Sequence, residues 1–103
     1  MEIHEQIGER TLLLSFSGEM DHHGVRNMLR RIEQAIDVAV PKTLTLDFSE
    51  VTFMDSSGIA LILCSQQKMQ ILEGSIILRN VPKQARRVLE VAGINRLVTF
   101  RYD

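Results

Sequence analysis

A chain of 103 residues has room for one compact domain and can bury a core without disulfides or metal. A net charge of −1 at pH 7 argues against the basic face of a nucleic-acid binder and against a polybasic membrane anchor. With 45% hydrophobic and 24% charged residues but only 5% aromatic ones, the composition is that of a globular protein with an aliphatic core.

The first turns of the chain carry no apolar h-region, and the longest apolar run, residues 59–64, is too short to span a bilayer. A single cysteine, Cys64, allows no intrachain disulfide. A cytoplasmic location is expected. Residues 2–7 fit a first strand, with Gly8-Glu9-Arg10 as the turn into a second over residues 11–17, where Leu12, Leu14 and Phe16 share one face. From residue 22 to about 39 the period changes. Val25, Met28, Leu29, Ile32 and Ile36 form one helical stripe, Asp21 is placed as N-cap, and Pro41 lies beyond the end.

Residues 43–48 alternate again, burying Leu44, Leu46 and Phe48, and 49–55 reads as a connection. A second helix is expected from Ser56 or Ser57 to about residue 72, stopped by Gly74, and a short apolar strand over 75–79. Pro82 opens a third helix with Val81, Ala85, Val88, Leu89 and Ala92 inward and Gly93 as its stop; residues 97–102 look like an edge strand. The order β-β-α-β-α-β-α-β predicts a single α/β domain over residues 1–103. Its sheet should be mixed but mostly parallel, with four to five strands and helices packed on it. In such sheets functional residues gather at the carboxyl ends of strands.

One segment stands at such an end: Phe53-Met54-Asp55-Ser56-Ser57-Gly58. Two serines at a helix start meet backbone N–H groups that lack intrahelical partners. A serine there can simply cap the helix. The same position also tolerates a phosphate, because the N–H groups and the helix dipole favour negative charge. A phosphoserine in a docking surface would repel a partner. The residues alone leave both readings open.

Three stretches resemble the STAS domain family (sulphate transporter and anti-sigma antagonist), and within it the stand-alone anti-sigma-F factor antagonists of sporulating bacteria. They are Gly18-Glu19-Met20-Asp21-His22-His23, the run from Leu46 to Gly58, and Val88-Leu89-Glu90-Val91-Ala92-Gly93-Ile94. The resemblance implies a STAS fold and a role in transcription regulation. Ser56 would be phosphorylated by an anti-sigma factor that is a serine kinase, and a serine phosphatase would reverse the reaction. The unphosphorylated form would bind the anti-sigma factor and free the sigma factor. Asp21, His22, His23, Met54, Asp55, Ser57 and Gly58 would form the docking surface. The chain would be a substrate and ligand rather than an enzyme, with no cofactor and no direct contact with nucleic acid or membrane. A general-stress or stressosome-type antagonist with the same mechanism is the alternative within the family. Gly24 departs from the family pattern, and its freedom is expected to loosen the first turn of the helix.

A small serine hydrolase centred on Ser56 is the alternative from another class, although the G-x-S-x-G elbow is missing. Adjacent histidines on a helix point about 100° apart, so His22 and His23 do not form a metal pair, and no G-x-x-x-x-G-K phosphate loop is present. Cys64 reads as a small core residue, and Lys83, Arg86 and Arg87 as a solvated helix face. Met54 is singled out as an apolar anchor for a partner.

Overall fold

The computed structural model describes residues 1–103. Five strands, β1 (Glu2–Gly8), β2 (Thr11–Met20), β3 (Thr43–Met54), β4 (Ser75–Arg79) and β5 (Thr99–Arg101), form one sheet in sequential order. The β1–β2 hairpin is antiparallel, and β2–β3, β3–β4 and β4–β5 are parallel. The parallel connections run through α1 (His22–Arg26) with α2 (Met28–Ala39), through α3 (Ser56–Ile71), and through α4 (Lys83–Val91) with a short 3-10 turn at Ile94–Arg96. The mixed, mostly parallel α/β sheet is as expected. No helix is long and apolar enough to cross a membrane.

The alternation of the strands has a simple cause: one sheet face is covered. Leu12, Leu14, Phe16, Leu44, Leu46, Phe48, Ile76 and Leu78 are buried under the helices, while Leu13, Thr43, Thr45 and Ile77 on the other face are half-buried. Phe16 and Phe48 pack edge to face with centroids 5.5 Å apart. Of the helical stripe, Val25, Met28, Ile32 and Ile36 are buried and Leu29 is half-buried, and Ala35, outside the expected stripe, is buried with them. The expected single helix over 22–39 is two segments meeting at Asn27, a residue of poor helix propensity.

The largest departure concerns β3. Residues 49–54, expected as a connection, continue the strand. Twelve residues of β3 run beside ten of β2, and the register slips between Ser15 and Ser17 and again between Gly18 and Glu19. Each slip places one extra residue in β3, the signature of a bulge. The buried positions therefore change spacing, from every second residue to Phe48, Val51 and Met54.

The end of α3 is also built differently from expectation. Glu73, not Gly74, takes the left-handed conformation (φ 56°), in a Schellman pattern with Glu73 N–H donating to Gln70 O (3.0 Å) and Gly74 N–H to Met69 O (2.8 Å). Gly74 is needed for close approach instead. A Cβ there would lie 2.7 Å from the Lys42 carbonyl oxygen and 2.5 Å from Met69 Cε. Pro82 stands at the N-cap of α4 rather than inside it, and Gly93 (φ 78°) closes that helix as expected. Cys64 is exposed, correcting its assignment to the core, and Ala92 is exposed as well.

Asp47, on the open face of β3, carries the one buried carboxylate. Its Oδ2 lies 2.7 Å from Arg79 Nη2 and accepts from Arg79 Nε at 2.9 Å, while Oδ1 accepts from Ser49 N–H at 2.8 Å. Burial pushes this carboxyl up. The Ser49 hydrogen bonds and the Arg79 guanidinium outweigh burial and hold it below its ordinary value. A carboxyl lowered on folding stabilises the fold above about pH 4, and that stability is lost as pH falls through its folded value. The gap in denaturation midpoint between wild type and Asp47→Asn should accordingly be full at pH 7 and narrow below about pH 4. A gap constant down to pH 2 would rule the ion pair out as its source.

Candidate functional site

The carboxyl ends of β2 and β3 lie side by side, since Met20 pairs with Met54 and the Asp55 N–H donates to Met20 O at 3.3 Å. Each strand then turns into a helix through an aspartate. Asp21 caps α1, its Oδ1 accepting from Gly24 N–H at 2.8 Å. Asp55 caps α3, its Oδ1 accepting from Ser57 N–H at 2.8 Å. The backbone hydrogen bond from Gly24 holds the Asp21 carboxyl below its ordinary value, so it is ionised at neutral pH.

The Asp55 cap alters the reading of the two serines. Neither is the N-cap. Ser56 and Ser57 are the first two residues of α3, Ser56 exposed and Ser57 half-buried, and the capping duty that would have occupied a hydroxyl falls to the carboxylate before them. Asp21, exposed His22 and His23, Asp55, Ser56 and Ser57 are thus brought to one end of the sheet. The two imidazoles stand 6.2 Å apart, centroid to centroid.

Two expected docking residues do not face outward. Met54 is 1% exposed and belongs to the core. Gly58 is buried against it: a Cβ on Gly58 would come within 2.6 Å of Met54 Cγ and 2.7 Å of Met54 Sδ. The second bulge turns Met54 inward, and Gly58 makes room for it. Phe53, 43% exposed, is the apolar side chain this segment actually presents.

Gly24 has a structural reason that the sequence concealed. A Cβ there would sit 2.3 Å from the Glu19 carbonyl oxygen and 3.3 Å from Asp21 Oδ1, so the turn folds back on itself more closely than any other residue permits. The expected loosening is a tightening around Asp21.

Gln84, in the first turn of α4, was invisible to sequence reasoning. Its Oε1 accepts from Met54 N–H at 2.9 Å and its Nε2 donates to Met54 O at 2.8 Å. Strand β4 stops at Arg79, which pairs with Asp47, so β3 has no strand neighbour on that side at Met54. The Gln84 amide supplies the two missing hydrogen bonds and fixes the residue that leads into Asp55 and Ser56. No spacing rule signals a contact of this kind.

The family model described as "Mlab, STAS domain" matches residues 3–99. The chain belongs to the STAS domain family. A relative named anti-sigma F factor antagonist, from Lysinibacillus sphaericus, is 30% identical over 90 residues, which are 87% of this chain and 77% of that protein. Among solved structures, the anti-sigma factor antagonist SpoIIAA in its unphosphorylated form is similar with a TM-score of 0.84 at 27% identity, covering 97% of this chain and 88% of that one. The Bacillus cell fate determinant SpoIIAA in the phosphorylated form is similar with a TM-score of 0.75, also at 27% identity, over 97% of this chain and 91% of that one. Within this STAS domain the strand-end cluster around Ser56 is the candidate site.

Proposed function

We propose that this STAS protein is an anti-sigma factor antagonist switched by phosphorylation of Ser56. Unphosphorylated, it binds an anti-sigma factor that is itself a serine kinase, and a sigma factor is released. The kinase transfers the terminal phosphoryl group of ATP to the Ser56 hydroxyl. The Oγ–P bond forms, ADP leaves, and the hydroxyl proton passes to the kinase. A serine phosphatase hydrolyses the ester and restores binding. Catalysis belongs to the partners, and the setting is the cytoplasm.

The observation that carries this reading is Ser56 itself: an exposed hydroxyl at the first position of α3, beside the Asp21 turn, with the capping role taken by Asp55. The names of the similar proteins support it, one of them solved in a phosphorylated form. Asp21, His22, His23, Asp55, Ser57 and Phe53 make up the docking surface in this reading.

Incubation with ATP and candidate anti-sigma kinases, followed by intact-mass measurement, should show one added phosphate mapping to Ser56. Ser56→Ala should take up none, yet still bind the kinase and stay bound in the presence of ATP. Phosphate on Ser57, or continued phosphorylation of Ser56→Ala, would overturn the assignment.

A further inference from the structure

A phosphate on Ser56 meets a helix end where two of the first N–H groups are already used. Asp55 Oδ1 holds the Ser57 N–H, and the Asp55 carbonyl oxygen accepts from the Gly58 N–H at 3.0 Å. The cap is moreover a carboxylate, so the phosphate would sit beside like charge. The helix terminus therefore cannot serve as its sole counter-charge.

A cation stands across a groove from it. The groove, about 370 Å³, runs between the start of α3 and the outer face of α4 and is lined by Ser56, Ile59, Arg87, Val88, Val91 and Ala92. Its walls are apolar apart from Ser56 and Arg87. The adjacent Arg86 is engaged: its Nε lies 3.3 Å from Glu90, and its guanidinium stacks 5.0 Å from the Tyr102 ring centroid. Arg87 is exposed and joined to no carboxylate, because the one acid within a turn of it, Glu90, is turned to Arg86. A guanidinium without an ion-pair partner, sharing an apolar hollow with a hydroxyl that becomes a dianion, is placed for a charge-assisted contact.

We propose that Arg87 is the intramolecular counter-charge of phosphorylated Ser56. The inference rests on the reading of Ser56 as the phosphorylated residue and adds its regulation: the phosphate draws the Arg87 side chain over the groove, and the ion pair closes the apolar surface between α3 and α4. Phosphorylation then acts twice, by adding charge and by covering apolar surface.

The test does not depend on any kinase. Phosphoserine is placed at position 56 during translation, and its phosphorus resonance is followed against pH. The charged groups around it are Asp55 on its own turn, Asp21, His22 and His23 on the neighbouring one, and Lys83, Arg86 and Arg87 on α4. Arg87→Gln should raise the midpoint of the second phosphate ionisation by roughly half a unit to one unit, a cation near an exposed anion acting at the low end of its range. Lys83→Gln and Arg86→Gln, which remove equal charge from the same helix, should leave the midpoint within about a third of the Arg87 shift. In the unphosphorylated protein, Arg87→Gln should leave stability unchanged, since its side chain is exposed and unpaired. Equal midpoints in wild type and Arg87→Gln, or equal shifts from all three variants, would overturn the proposal. Failure of every kinase to modify Ser56 would instead count against the reading on which it rests.

Discussion

Aspartate in place of Ser56 is expected to weaken binding of the anti-sigma factor about 30-fold, or roughly 2 kcal/mol. Ser56 is exposed in the free protein, so the carboxylate costs the isolated fold little. The cost arises on docking. A charge covered by a partner loses its water, and the aspartate, shorter than a phosphoserine and with about half its charge, recovers little of that loss from Arg87 across the groove. Asp55 and Asp21, both capping carboxylates, already make this end of the sheet negative, and a third carboxylate adds to that field. Ser56→Ala removes a hydroxyl and no charge, and should bind within about threefold of wild type. The genuine phosphate, with about twice the charge of aspartate, should weaken binding further still. Titration calorimetry of the three forms decides the matter. Equal affinity for wild type and Ser56→Asp would sink the switch while leaving the fold untouched.

What could be read from the residues follows from how the sheet is covered. Leu12, Leu14 and Phe16 alternate because only one face of β2 is buried, and the same holds for Leu44, Leu46 and Phe48. The stripe from Val25 to Ile36 was legible because α1 and α2 lie on the sheet with their other sides in solvent. Helix α3 was harder: Ile59, Leu61, Ile62 and Leu63 surround it, so nothing in the pattern told the buried Leu61 and Ile62 from the exposed Leu63 and Cys64. The site was legible as a segment but not in its details. The two bulges of β3 erase the alternation that would have shown residues 49–54 to be strand, and by shifting register they send Met54 inward. The choice of Asp55 over Ser56 as cap could not be decided from side-chain type, since aspartate and serine cap about equally well. It matters, because it frees the hydroxyl.

These details share a consequence for how the site is held. Ser56 follows a strand end that is bulged twice and outruns β4, so the sheet alone positions it poorly. Its support comes from two other places. The α1 turn, tightened by Gly24, holds Asp21 and presents the Met20 carbonyl to Asp55. Helix α4 reaches across 30 residues of sequence through Gln84. The same helix carries Arg87 one turn further on, so any displacement of α4 moves both the backbone clamp on the Ser56 segment and the cation facing it.

Gln84→Leu should therefore lower stability by about 2 kcal/mol, since two backbone groups of Met54 lose their partners and each lost hydrogen bond costs about 1 kcal/mol where water replaces it only in part. For a domain of this size that is a fall of roughly 10 °C in melting temperature. Leucine is close to glutamine in volume, so packing changes little and the loss reports on the hydrogen bonds. Gln84→Glu separates the two contacts. Its carboxylate still accepts from Met54 N–H but sets an oxygen against the Met54 carbonyl, and only the protonated acid can donate there. Its stability relative to wild type should thus recover as pH falls through the carboxyl range, the opposite direction from the loss expected for the Asp47–Arg79 pair. Both variants keep Ser56, Asp55 and Asp21 intact, so a drop in affinity for the anti-sigma factor without any change at those residues would show that docking depends on a fixed strand end. Wild-type stability and affinity in Gln84→Leu would show instead that water takes over both hydrogen bonds and that β3 holds Ser56 unaided.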